Sequence, residues 1–182
     1  MIFEKLDIPD VILISPTIFG DHRGFFIETY HQDKFREFGL DLNFVQQNHS
    51  GSVQGTLRGL HFQTRHVQGK LVKVVRGEIF DVAVDLRKKS STFGHWVGVK
   101  LNEETKQQLW VPAGFAHGFI VLSDWAEILY STTDIYDPMS ERTLLWNDTT
   151  VNVSWPILEG KCPILSQKDL TGKSFTDIEI FE

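Results

Sequence analysis

Turn residues recur along this chain at intervals too short for long helices, and that punctuation constrains the fold more than any other feature. Val11–Ser15, Phe25–Tyr30, Leu71–Val75, Glu78–Leu86, Trp96–Leu101, Gln108–Val111, Ala116–Leu122, Ala126–Thr133 and Thr143–Trp146 are short apolar runs that read as strands. Gly77, Gly94, Asn102, Pro112-Ala113-Gly114, Ser123-Asp124 and Asp137-Pro138 separate them, and Phe19–Gly24 also carries turn chemistry. Asn43–Asn48 alternates, with Phe44, Gln46 and Asn48 on one face and Val45 and Gln47 on the other, which implies a polar interior surface. The spacing predicts one helix, Gln32–Phe38, where Phe35 and Phe38 share a face and Gly39 offers a C-cap. Many short strands without helical crossovers predict an all-β fold, an antiparallel sandwich or jelly roll with a few short peripheral helices.

Composition sets the scale. At 182 residues and 20.9 kDa, with 41% hydrophobic residues, one domain over 1–182 is expected to bury a real core. A net charge of -6 argues against a nucleic-acid-coating surface, though not against a small anionic ligand. No apolar run is long enough for a membrane helix, and Glu4, Lys5, Asp7 and Asp10 break any signal-peptide pattern. Cys162 is the single cysteine, so neither an intrachain disulfide nor a cysteine zinc site can form, and a cytoplasmic location is expected.

Positive charge concentrates in Gly55–Arg76, where Arg58, Arg65, Lys70, Lys73 and Arg76 are five of the 18 lysines and arginines. A solvated strand edge and a local anion pocket both account for this. Among seven histidines, His22, His31, His49, His66 and His95 lie in or near turns and read as surface residues. His61 sits within the cationic stretch, and His117 opens a strand after a tight turn, where a core histidine and a ligand contact are both open readings. Pro112-Ala113-Gly114-Phe115-Ala116-His117 resembles the second signature of the cupin superfamily. At the first signature, His61-Phe62-Gln63 has an amide in place of the second histidine. Too few ligands remain for a mononuclear metal site, so a cupin barrel without metal or other cofactor is expected.

Seven blocks in order carry a closer resemblance: Asp21–Glu28, Gln46–Ser50, Leu57–Gln63, Gln68–Val72, Asp81–Arg87, Pro112–Phe119 and Lys168-Asp169. Together they resemble the dTDP-4-dehydrorhamnose 3,5-epimerases. The resemblance implies a dTDP-4-keto-6-deoxyhexose substrate inverted at C3 and C5 through an enolate, a scheme needing a base, a cation at the keto oxygen and an acid opposite. By match, His61 is the base, Asp169 orients it, Lys70 lies at the keto oxygen and Tyr130 is the acid. Arg23, Phe26, Glu28, Gln46, Gln47, Asn48, Arg58, His117, Glu141 and Lys168 fall at substrate-binding positions, and Tyr136 where a ring stacks on thymine. Glu28 and Glu141 read equally well as surface carboxylates. The resemblance further implies a homodimer, for which Trp96, Trp110 and Trp146 are candidate interface residues, and a tail, 156–182, that folds back over the barrel mouth. Ser91 departs from a common family proline, and Leu170-Thr171-Gly172-Lys173 from the usual continuation. The rival readings are an epimerase that inverts only C3 or C5 of another dTDP-4-keto sugar, a ketoisomerase of related fold, a metal-dependent cupin oxygenase, and a non-catalytic sugar-binding cupin.

Overall fold

A computed structural model of the chain describes residues 1–157 and 159–182. The strands are β1 (Ile2–Lys5), β2 (Ile12–Ser15), β3 (Ile18–Asp21), β4 (Gly24–Ile27), β5 (Gln46–Val53), β6 (Leu57–Gln63), β7 (Lys70–Arg76), β8 (Glu78–Asp85), β9 (Trp96–Asn102), β10 (Gln108–Val111), β11 (Phe115–Val121), β12 (Trp125–Thr132) and β13 (Glu141–Thr143). Two short helices, α1 (Gln32–Phe38) and α2 (Gln167–Leu170), complete the described elements. One sheet runs β1-β2-β10-β7-β12-β5, the other β13-β6-β11-β8-β9, and β3-β4 forms a separate hairpin. Neighbouring strands pair antiparallel throughout, as in a cupin-like jelly roll.

Alternation along the strands builds three apolar layers. Val72, Val74 and Ile128 of the first sheet meet Ile79, Ala83, Phe119 and Val121 of the second between the sheets. On the outside of the second sheet, Val82, Val84 and Leu60 are covered by Val151, Phe175, Ile178 and Phe181 from the C-terminal part. The outer face of the first sheet carries Ile12, Ile14, Leu71 and Trp110 under Phe35 and Phe38 of α1 and Phe3 and Phe44. Strand β8 is covered on both faces, which is why its sequence shows an almost continuous buried run. Trp110 is 5% exposed beneath α1, so it belongs to the core rather than to an interface.

Helix α1 spans the predicted residues, and Gly39 caps it at φ 99, a left-handed conformation suited to glycine. Elsewhere, boundaries moved. The Phe19–Gly24 turn is the inner part of the β3-β4 hairpin, because Gly20 pairs with Phe25 and Asp21 with Gly24. The Asn43–Asn48 alternation belongs to a strand starting at Gln46 and reaching Val53, held in place by β12 along its whole length. At Thr143–Trp146 the strand lies earlier, Glu141–Thr143, where β6 supplies its ladder. After Asp169 the chain returns along β13, bridging Lys173 to Leu144 and Phe181 to Arg87.

Candidate active site

The site begins with an irregularity. In a regular strand, Arg58 and His61, three apart, would face opposite sides. Here β6 pairs Arg58 with Phe119 and His61 with His117, three residues against two, so β6 carries one extra residue and both side chains turn inward. Glycines make this possible. Gly59 sits at φ 118, and a Cβ on it would lie 2.6 Å from the Gly118 Cα; one on Gly118 would lie 2.7 Å from the Arg58 carbonyl oxygen.

His61 meets a carboxylate from the far end of the chain. Its Nε2 lies 2.6 Å from Asp169 Oδ1, which also accepts from the Gly59 amide at 3.2 Å. Ser166 caps the short α2 helix by accepting from the Asp169 amide, while its hydroxyl donates to Asp169 Oδ2 at 2.6 Å. With Nε2–H donating to Asp169, the lone pair resides on Nδ1. Burial holds the His61 pKa below its usual value, outweighing the Asp169 bond that favours the charged ring, so the imidazole is neutral near pH 7. Burial alone would raise the Asp169 carboxyl, but the His61 and Ser166 hydrogen bonds bring it down to about 2.

The opposite wall comes from the other sheet. Gln46, Asn48 and Ser50 of β5, Lys70 of β7 and Tyr130 of β12 face Arg58 and His61 of β6 and His117 and Phe119 of β11 across a cavity of about 560 Å³. Lys70 is 9% exposed, and burial lowers its pKa to about 8 against the opposing pull of Glu141 and Asp81. Burial raises the Tyr130 hydroxyl, which therefore stays protonated at neutral pH even with Arg58 nearby. Arg58 Nε donates to Ser52 Oγ at 3.1 Å. Of the five cations in Gly55–Arg76, only Arg58 and Lys70 line the cavity; Arg65 pairs with Asp137 and Arg76 with Glu127.

At the mouth, Lys168 Nζ lies 2.8 Å from Glu141 Oε1, and the Tyr136 hydroxyl donates to Glu141 Oε2 at 2.9 Å. Burial would raise Glu141, but these two partners hold it below the usual carboxylate range. The sequence expectation for the site thus divides in two. His61, Lys70, Tyr130, Asp169, Gln46, Asn48, Arg58, His117, Tyr136, Glu141 and Lys168 line one cavity. Arg23, Phe26, Glu28 and Gln47 do not line it: the first three belong to the β3-β4 region, where Arg23 pairs with Asp21 and Glu28 with Lys34. Gln47, between Gln46 and Asn48, takes the other face by strand alternation and donates to Ser131 Oγ.

Two partners were not singled out from sequence. Asp81, fully buried on β8, lies 2.5 Å from His117 Nε2, and Ser166 holds Asp169. Asp81 had a signal, an acidic residue amid an apolar strand; Ser166 had one only as a helix cap. Among the described residues no three His, Cys, Asp or Glu side chains converge as a metal cluster. A carboxylate engages Nε2 of each cavity histidine, and the Gln63 amide is turned to main-chain groups.

Fold and site define a cupin-like jelly roll with acid–base side chains on both walls of one pocket. A family model described as dTDP-4-dehydrorhamnose 3,5-epimerase matches residues 5–177, and the chain belongs to that family. A relative of that name from Pseudomonas aeruginosa is 56% identical over 178 residues, covering 97% of each chain. The structure of dTDP-6-deoxy-D-glucose-3,5-epimerase from Legionella pneumophila, in complex with dTDP-4-keto-L-rhamnose, superposes with TM-score 0.93 at 46% identity, covering 97% of this chain and 94% of that one. A 3'-monoepimerase from Streptomyces bikiniensis, in complex with dTDP-quinovose, is also similar, at 32% identity and TM-score 0.87 over 94% of this chain and 86% of that one.

Proposed function

We propose that this chain converts dTDP-4-dehydro-6-deoxy-D-glucose to dTDP-4-dehydro-L-rhamnose, inverting C3 and C5 without a metal, in dTDP-rhamnose synthesis. The observation that carries the reading is the placement of neutral His61 and protonated Tyr130 on facing sheets of one cavity, with Lys70 buried beside them. His61 takes the C–H proton next to the C4 ketone, and the bond electrons move to the keto oxygen as an enolate. The Lys70 ammonium stabilises that oxygen's charge; Tyr130 returns a proton to the carbon from the other face, and solvent restores both groups. Asp169 orients His61 and stabilises the imidazolium. Arg58, His117, Lys168, Gln46, Asn48 and Glu141 bind the nucleotide sugar, and Tyr136 stacks on the thymine.

A homodimer accounts for the residues that lie elsewhere. Hairpin β3-β4 pairs with no further described strand and exposes Phe19, Phe25 and Phe26 at 60%, 60% and 69%. Docking that hairpin on a second copy would bring Arg23, Phe26 and Glu28 to the partner's pocket. A cytoplasmic setting suits a chain whose single cysteine, Cys162, has no intrachain partner. No described helix is long and apolar enough to cross a membrane.

The similarity to a 3'-monoepimerase favours one second reading, inversion at C3 alone. Incubation with dTDP-4-keto-6-deoxyglucose in deuterated water, followed by NMR, separates them. Deuterium enters both C3 and C5 in the first reading and only C3 in the second; no exchange at either carbon would end both.

A further inference from the structure

Gln63 occupies the position where a metal-binding cupin carries its second histidine, yet its amide is committed to the loop that follows β12. The Asp137 amide donates to Gln63 Oε1 at 3.0 Å, and Gln63 Nε2 donates to the Ile135 carbonyl at 3.1 Å, bracketing Tyr136 on both sides. Nε2 also reaches the His66 carbonyl at 2.7 Å. Two further glutamines complete the grip. Gln46 Oε1 accepts from the Tyr136 amide at 2.9 Å, and Gln68 Nε2 donates to the Asp134 carbonyl at 2.9 Å. Residues 134–137 are thereby held one after another by side chains from β5, from β6 and from the segment before β7. Packing contributes little here, since Ile135 and Tyr136 are 51% and 50% exposed. Gln63 itself is 4% exposed, and a buried amide is tolerated only with both ends satisfied.

We infer that Gln63, with Gln46 and Gln68, is a positioning residue for Tyr136, fixing its ring at the pocket mouth to take the planar base of a nucleoside diphosphate. The inference rests on the nucleotide reading above. A loop ordered before binding spares the ligand the entropy of ordering it, so the clamp acts on affinity and not on proton transfer. A neutral histidine at position 63, with one ring N–H and one acceptor nitrogen, could not accept from the Asp137 amide and also donate to both the Ile135 and His66 carbonyls.

The test is titration calorimetry with dTDP alongside steady-state kinetics on Gln63→Leu. Kd for dTDP and KM should rise about tenfold, while kcat at saturation stays within about twofold. In a Tyr136→Ala background the same substitution should leave Kd unchanged, because the clamp acts through that ring. An unchanged Kd in Gln63→Leu, an equal loss in both backgrounds, or a fall in kcat at constant KM would each overturn the inference. Should Gln63→Leu show no cooperative melt, Gln68→Leu is read by the same criteria. Wild-type protein that does not bind dTDP would instead remove the nucleotide reading, and this role with it.

Discussion

Two histidine–aspartate pairs face one cavity from directly opposed positions on β6 and β11, yet they are built differently. His117 and Asp81 lie on neighbouring strands of one sheet, with side chains 10% and 0% exposed, so the pair forms whenever the sheet does. His61 is 25% exposed and receives Asp169 from 108 residues away, through a capped single turn of helix. The Asp169 carboxylate is satisfied by His61, the Gly59 amide and Ser166, whereas Asp81 Oδ2 has no partner among the described residues. A histidine that must gain and lose a proton needs solvent contact and a fully satisfied orienting carboxylate. His61 meets both conditions; His117 is suited to holding ligand in place.

Removing each histidine tests that contrast most severely. His61→Asn should lower kcat by about a thousandfold or more and stop deuterium entry at the substrate carbons. His117→Asn should mainly raise KM, with kcat down about tenfold or less. Comparable losses of exchange in both variants would erase the distinction.

The carboxylates give a second, smaller contrast. Asp169→Asn should cost on the order of a hundredfold in kcat, since the amide can hold the wrong tautomer of His61. It should also flatten acid unfolding: the Asp169 pKa is depressed from 3.8 to about 2, so its stabilisation is present above 3.8 and lost as pH falls toward 2. Asp81→Asn should cost about tenfold or less in kcat by the same assay.

The pH–rate profile ties the pairs together. Its acid limb, reporting His61, should lie below 6.5, and its alkaline limb near 8 should report Lys70. Because Asp81 helps keep Lys70 charged, Asp81→Asn should move the alkaline limb downward, a shift Asp169→Asn lacks.

The smallest expected effect is on stability, in Lys70→Met. Burial depresses Lys70 from 10.5 to about 8, so the unfolded chain holds more protons across that window and wild-type stability rises with pH through it. Methionine should remove that rise and lift the neutral-pH melting temperature by a few degrees while kcat falls.

How much of this was legible varies by residue. Helix α1 was, because Phe35, Phe38 and Gly39 act over one or two turns. The reach of β5 to Val53 was not: Ser50, Gly51 and Ser52 carry no strand signal, and β12 supplies the ladder that holds them extended. The pocket set was legible because Gln46, Asn48, His61 and His117 stand in matching blocks and Tyr130 matches a single family position outside them, whereas Asp81 stood in a matching block without a role.

By itself, the sequence determined the antiparallel β class and the polar face of Gln46 and Asn48, since alternation and turn chemistry are local properties; the proposed proton-handling roles came from the resemblance to the family. Only the tertiary structure decided which of them meet. The extra residue at Gly59 turns Arg58 and His61 to one side, and the return of the tail brings Asp169 to His61. The hairpin leaves Arg23, Phe26 and Glu28 outside the cavity. Each depends on close backbone approach or on contacts between distant segments, which no local pattern encodes.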